Sequence, residues 1–389
     1  MSGTDILFLA HRLPWPPDRG DRIRSWHMLE ALAKLRPVHV IAPLDEAADA
    51  KHIAHVESIA ASVTTAVRTR SKGAAVAQAL LTGRPASVQL FAVPALMRRA
   101  AAFVASGQIG TVFAFSGQMA EYVPQDRRGA RFIMDFVDMD SAKFAQQGAG
   151  APGVSGMVLR REAKRLLGFE IATAKRADAS LFVSDAEASL FSTRTNLSAQ
   201  VVENGVDAAN FLPDAVTPAG APHPLIVFTG QMDYAPNVEA VTGFARDVLP
   251  HLEQVTFAIV GRAPTSVVKA LAGPQVIVTG EVPDTRPWLA AADVVVAPLT
   301  LARGVQNKVL EAMAMAKPVV ASPAAAEGID AVRGIELLVA DDAIETARTI
   351  TALLADPDRA HTIGTAARER VQARYSWDAC LAPLAELVA

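Results

Sequence analysis

The chain has 389 residues, 51% hydrophobic and 20% charged, enough to bury two substantial cores and to suggest two or three domains. A single cysteine, Cys380, excludes an intrachain disulfide and a cysteine metal cluster, and fits a reducing compartment. The net charge of −3 hides an asymmetry: residues 1–200 carry 24 Lys and Arg against 18 Asp and Glu, and the remainder 13 against 22.

A basic first half and an acidic second half suggest two domains with different partners, and anionic lipid or lipid-phosphate would suit the first. Ordinary drift in surface composition accounts for the asymmetry as well. The apolar stretch from Ile6 to Ala10 is too short for a signal-peptide core, and no run of about 18 apolar residues occurs. A cytoplasmic chain that does not span a membrane is expected, as is the absence of a nucleic-acid partner.

Taken in order, Asp5–Ala10 reads as a buried strand, His11–Asp21 as a loop, Arg22–Leu35 as a helix and Val38–Ile41 as a second strand. The helix carries Ile23, Trp26, Leu29 and Leu32 at helical spacing. Pro14, Pro16 and Pro17 fix φ in the loop and hold its side chains in place. Strand, glycine loop, helix, strand is a unit of a doubly wound sheet, with the loop at the carboxyl ends of the strands, where ligands bind. No G-x-G-x-x-G fingerprint is present.

Further strands are expected at Thr64–Val67, Thr111–Phe115 and Arg131–Asp135, with helices at Ala74–Leu81 and Pro94–Ser106. Asp135, Asp138 and Asp140 then fall near-alternately beside a strand end. A divalent ion could use that spacing, but metal-independent α/β enzymes also carry acidic strand ends, and no metal is assigned.

Val158–Ala174 reads as a helix with Arg160, Arg161, Lys164 and Arg165 beside an apolar stripe. Such a helix either packs on its sheet, the commoner outcome, or lies on an anionic membrane. Ala179–Phe182 is the next strand, and Ser184 with Glu187 three residues later has the form of a capping box. Prolines 213, 218 and 222 mark a domain boundary within Asp207–His223.

The second half repeats the rhythm, with strands at Leu225–Phe228, Thr256–Val260 and Val276–Thr279 and a helix over Asn237–Leu249. These strands run into Gly230, Gly261 and Gly280, which suggests one edge where backbone approaches a ligand. After a strand at Val294–Ala297 comes Arg303–Ser322, a loop with Gly304 and then a helix that Lys317-Pro318 stops before a buried strand. Lys308 and Glu311 share one face of that helix. First-turn amides favour an anion such as a diphosphate, and an ionised Glu311 suits a vicinal diol. The alternative is a surface ion pair worth a few tenths of a kcal/mol. A last strand at Glu336–Val339 and helices at Thr346–Leu354 and Asp358–Arg374 complete the second domain.

The run KVLEAMAMAKPVVAS resembles the donor-site signature of GT-B glycosyltransferases of family 4, and Asn204-Gly205-Val206-Asp207 is similar to that family's interdomain segment. The string DFVDMDSAKF resembles a subgroup of bacterial sugar transferases associated with exopolysaccharide and exosortase (PEP-CTERM) loci. The resemblance implies an α/β fold of two Rossmann-like doubly wound domains facing a central cleft. These would be residues 1–207 on the acceptor side and 208–375 on the donor side, with a C-terminal helix within 376–389 crossing back.

It implies retaining transfer of a sugar from a nucleotide-diphosphate sugar, with no other cofactor, in surface-glycan assembly. The acceptor would be a glycan or a polyprenyl-diphosphate-linked glycan at the inner face of the cytoplasmic membrane, with peripheral contact to anionic lipid. Glu311 would hold the ribose hydroxyls, Gly20 would lie near donor phosphate or acceptor, and Gly230 near diphosphate. The segment containing Val282 would read the base through main-chain bonds. Where the family carries its first Glu this chain has Arg303, and where an Arg is usual it has Gln231. Cationic duty then passes to Arg262, Arg303 or Lys308. Asp138 is the candidate for orienting the acceptor or taking its proton, and Gly304 for close approach to the donor. A sugar-nucleotide epimerase and a noncatalytic subunit that binds sugar nucleotide or lipid stay open.

Overall fold

The computed structural model describes residues 4–300 and 305–389. The chain divides into two compact units, one reaching to Asn204 and including Leu381–Ala389, the other Gly205–Cys380.

The first unit is built on seven parallel strands: β1 (Asp5–Ala10), β2 (Val38–Leu44), β3 (Ser62–Val67), β4 (Ile109–Phe115), β5 (Arg131–Val137), β6 (Ala179–Phe182) and β7 (Gln200–Val201). Their spatial order is β3-β2-β1-β4-β5-β6-β7. Helices α1 (Gly20–Leu35), α2 (Ile53–Glu57), α3 (Lys72–Thr82), α4 (Ala86–Phe91), α5 (Pro94–Ala105), α6 (Asp140–Gly150), α7 (Gly153–Ala174) and α8 (Asp185–Thr195) lie in the connections. β1 and β2 are buried along their whole length, as parallel strands covered on both faces must be. This explains why they read as continuous apolar runs with no alternation.

One buried ion pair ties the sheet to its first helix. Arg24 of α1 donates to Asp135 at 3.0 Å, to the Val202 carbonyl at 2.7 Å and to Asn204 at 2.9 Å, so the fork of one guanidinium joins α1, β5 and the end of β7. The apolar spacing of the helix gives no sign of this role. Helix α6 falls where no helix was expected, and α7 starts at Gly153, five residues before Val158. The two pack closely because Gly148 has no side chain: a Cβ there would lie 3.0 Å from the Arg160 amide nitrogen.

The second unit has six parallel strands: β8 (Leu225–Thr229), β9 (Thr256–Val260), β10 (Val276–Gly280), β11 (Val294–Ala297), β12 (Val319–Ala321) and β13 (Leu338–Val339). Their order is β10-β9-β8-β11-β12-β13. Its helices are α9 (Ala235–Gly243), α10 (Ser266–Lys269), α11 (Arg286–Ala291), α12 (Asn307–Ala314), α13 (Pro323–Ala326), α14 (Ala343–Ala355) and α15 (Pro357–Arg370). Helix α16 (Trp377–Leu381) leads to α17 (Leu384–Val388), whose Leu384, Leu387 and Val388 are buried in the first unit beside α1.

The helix expected over Asn237–Leu249 stops being α-helical at Gly243 and passes through a π turn, Phe244–Val248, that buries both Phe244 and Val248. In each sheet the order reverses beside the first strand, between β1 and β4 and between β8 and β11. That reversal leaves a crevice at the carboxyl ends, the usual ligand position in such sheets. Among the described residues no helix is long and apolar enough to cross a membrane.

Candidate functional site

A pocket of about 530 Å³ opens at the reversal point of the second unit, within the usual range for small-molecule sites. It is lined by the ends of β8 and β9, the segment after β10, Leu299 beyond β11 and the first turn of α12. The walls meet because two glycines let backbone pass backbone. A Cβ on Gly261 would sit 1.7 Å from the Gly230 carbonyl oxygen, and one on Gly230 would meet Asn237 at 2.7 Å and the Lys308 amine at 3.3 Å. The Gly230 amide donates to Val260 at 3.0 Å and the Met232 amide to Arg262 at 2.8 Å, stitching the two loops together.

Helix α12 aims two charges into this pocket. Lys308 donates to Asn237 Oδ1, and its amine lies 4.6 Å from the centre of the Phe228 ring. Asn237, buried near the start of α9, also donates to the Gln231 carbonyl at 2.9 Å, so both ends of its amide are used. Burial pulls the Lys308 amine down to about 8, although neighbouring Glu311 opposes the shift. Burial pushes the Glu311 carboxyl up to about 7 against the attraction of Lys308. Glu311 accepts no hydrogen bond among the described residues, an unusual state for a mostly buried carboxylate. A cation, a carboxylate with no hydrogen bond among the described residues and the open first turn of a helix therefore converge on one cavity.

Gly230, Arg262, Val282, Lys308 and Glu311 all line the pocket. Arg262 is exposed and donates to Gln231 at 3.0 Å, so among the described lining residues Lys308 is the more sheltered, half-buried cation. Arg303 and Gly304 lie outside the described residues. The sequence reading passed over Asn237, Phe228 and Tyr234; an Asn just after Pro236 in a helix's first turn was the available signal for the first of them.

Gly20 and Asp138 belong to the first unit. Gly20 is the first residue of α1 and not a loop glycine, because the helix starts two residues before Arg22. The neighbouring arginines are taken up by acids of the loop and of the turn after β2: Arg19 meets Asp21 at 3.0 Å, and Arg22 meets Asp18 at 3.4 Å and Asp49 at 3.8 Å. His11 sits beside them, buried against Phe115 and Phe91, its Nδ1 without a partner among the described residues. Burial lowers its pKa, although the hydrogen bond to Asp21 opposes this.

Of the three aspartates in and after β5, Asp135 pairs with Arg24, whereas Asp138 and Asp140 share Lys143, at 2.6 and 3.7 Å, and Asp140 also accepts from Gln118 at 3.2 Å. Val137, next to Asp138, has φ of +69°, a costly conformation for a β-branched residue. The expected capping box is half formed. Ser184 accepts from the Glu187 amide, but the Glu187 carboxylate turns away to the Met139 amide at 2.7 Å and helps cap α6. Among the described residues no group of three or more His, Cys, Asp or Glu is placed to hold a metal ion.

Residues 223–356, which contain the whole pocket wall, match the family model described as Glycosyl transferases group 1. No curated protein sequence matches the chain. Among solved structures, sucrose-phosphate synthase from Thermosynechococcus elongatus is 19% identical with a TM-score of 0.61, covering 99% of this chain and 98% of that one. A glycosyltransferase from Rickettsia africae is 14% identical with a TM-score of 0.64 over 99% and 98%. Anabaena Alr3699/HepE, solved in complex with UDP, is 17% identical with a TM-score of 0.63 over 99% of both chains. The chain thus has the fold of GT-B glycosyltransferases, two parallel-sheet Rossmann-like domains, and its likeness to group 1 transferases lies in the second domain, around the pocket.

Proposed function

We propose that the pocket binds the nucleotide of a nucleotide-diphosphate sugar and that the protein transfers the sugar to a hydroxyl of a glycan or polyprenyl-diphosphate-linked acceptor, with retention at the anomeric carbon, in surface-glycan assembly. The observation that carries this reading is that Lys308 and Glu311, which accepts no hydrogen bond among the described residues, stand one turn apart on α12 at a glycine-lined crevice. Glu311 accepts from both ribose hydroxyls. Lys308, the first-turn amides of α12 and the Gly230 backbone hold the diphosphate, with Arg262 and Arg303 as further cations. The base lies along Val282.

In the transfer the acceptor oxygen bonds to the anomeric carbon, the bond from that carbon to the diphosphate oxygen breaks, and the acceptor loses its proton. Asp138 orients that hydroxyl or takes the proton. Fixed cations and helix amides stabilise the charge on the departing diphosphate, so positioning and electrostatics supply the rate. Alr3699/HepE was solved with UDP and with UDP-glucose, which makes these the first ligands to try.

Calorimetry with a panel of nucleoside diphosphates and their sugars tests the site. Glu311→Ala is expected to weaken the best ligand by roughly 1.5–3 kcal/mol, the range for charge-assisted hydrogen bonds. An unchanged affinity removes the assignment. Incubation of the bound donor with polyprenyl-diphosphate glycans then tests the reaction: a lengthened glycan supports transfer, whereas an isomerised donor identifies an epimerase.

A further inference from the structure

Three buried side-chain polar atoms lack a hydrogen-bond partner among the described residues: His11 Nδ1, Arg22 Nε and Thr229 Oγ1. Of these three residues, Thr229 is the one that lines the nucleotide pocket. It closes β8 one residue before Gly230, and its exposure is 4%. Nothing in the packing of the strand calls for a hydroxyl there. Leu225, Ile226, Val227 and Phe228 before it are fully buried, and its register partner on β9 is Val260. Valine has nearly the same shape, and a hydroxyl buried without a partner costs free energy that a methyl does not.

Much of the polar wall around it is satisfied from within the wall. Asn237 accepts from Lys308 and donates to the Gln231 carbonyl at 2.9 Å. The Gln231 side chain accepts from Arg262 at 3.0 Å and donates to Asp233 at 2.6 Å. The Gly230 and Met232 amides are taken by the Val260 and Arg262 carbonyls. Thr279, near the end of β10, gives its hydroxyl to the Gly280 carbonyl at 2.8 Å, as a strand-end threonine can. The Thr229 hydroxyl, like the Glu311 carboxylate, is left without such a bond among the described residues. The Lys308 amine stands close by. It is 4.6 Å from the centre of the Phe228 ring and 3.3 Å from where a Cβ on Gly230 would sit, and these are the residues on either side of Thr229.

We propose that the Thr229 hydroxyl is a ligand group of this pocket, donating to a phosphate oxygen of the nucleoside diphosphate beside the Lys308 amine. The inference rests on the nucleotide reading and adds a residue to it. A turn about the Cα–Cβ bond exchanges the hydroxyl with the methyl, so a group shut in without ligand reaches the phosphate when the pocket fills. An anion is the partner that suits a hydroxyl next to an ammonium. The ribose hydroxyls need an acceptor and find it in Glu311. Lysine holds phosphate as a point charge from any side, and a neutral donor fixed at a strand end gives that attraction a direction. Without ligand the hydroxyl weakens the fold, and the phosphate removes that penalty.

The test is calorimetry of the full chain with UDP, and with uridine by competition against it, beside melting of the unliganded protein. Should another base bind best, its diphosphate and nucleoside take their place. Thr229→Val keeps the shape. It should raise the melting temperature of the unliganded chain and weaken UDP about ten- to a hundredfold, the range for one hydrogen bond to a charged group. Uridine, which has no phosphate, should bind the variant and the wild type alike. Thr229→Ser restores a hydroxyl and should hold UDP within a few-fold of the wild type. A residue kept only for packing would produce no split between UDP and uridine. UDP binding that Thr229→Val leaves unchanged overturns the proposal while the nucleotide reading stands. An equal loss for uridine also overturns it, by placing the hydroxyl at the nucleoside. If the wild-type chain binds no nucleoside diphosphate, the nucleotide reading itself falls, and this inference with it.

Discussion

A lysine and a carboxylate one helical turn apart would ordinarily be an exposed ion pair with little effect on stability. In the pocket both have lost water, and each is moved toward neutrality, Glu311 to about 7 and Lys308 to about 8. For an acid whose folded pKa is raised, stability is fully present below the unfolded value and is lost as pH rises through the folded one. Glu311 therefore weakens the unliganded fold progressively between about pH 4.5 and about pH 7, and the loss persists above that. Glu311→Gln removes the charge and keeps the shape. It is expected to raise the melting temperature of the unliganded protein clearly at pH 8 and much less at pH 5. Equal shifts at the two pH values would show that the carboxylate carries no ionisation penalty. The same substitution should weaken nucleotide binding, which separates a residue held for a ligand from one held for stability.

At the scale of elements, the Arg24 to Asp135 pair is the clearest case of one side chain organising several. Arg24→Met leaves the Asp135 carboxylate buried without its cation and should destabilise the first unit by about 3–5 kcal/mol. Denaturant titration reads this directly, and Asp135→Asn added to Arg24→Met should recover part of the loss. The sequence announced neither partner. Arg24 lies between apolar positions of a helix, and Asp135 read as one of three acids at a strand end, because pairing across the fold leaves no periodic trace. Strands were legible for the opposite reason: buried parallel strands are runs of β-branched and aromatic residues wherever they pair. The pocket wall was legible where a local signal existed, in Gly230, Lys308 and Glu311. It was hidden where the role depends on a neighbour, as with Asn237 under Lys308 and Phe228 beneath its amine. Helix α6 is hard to read from sequence because Gly148 and Gly150 weaken its helical propensity, and its first turn is capped by Glu170 and Glu187 from other helices.

For the whole molecule, the nucleotide pocket lies within the second unit, and its ligand should leave its mark there. Hydrogen exchange of the full chain provides the check. Nucleotide is expected to slow exchange at 229–237, 260–262 and the first turn of α12 and leave α3 and α7 unchanged. A nucleotide effect centred on the first unit would contradict the placement of the donor site. The division of the chain also bears on its synthesis. The first unit buries Leu384, Leu387 and Val388 of α17, yet all of Gly205–Cys380 is translated before them. On the ribosome, the earlier-made domain must wait with an unfilled seam beside α1 until the later one has emerged, so a nascent chain arrested anywhere within Gly205–Cys380 exposes apolar surface from a core that has not closed.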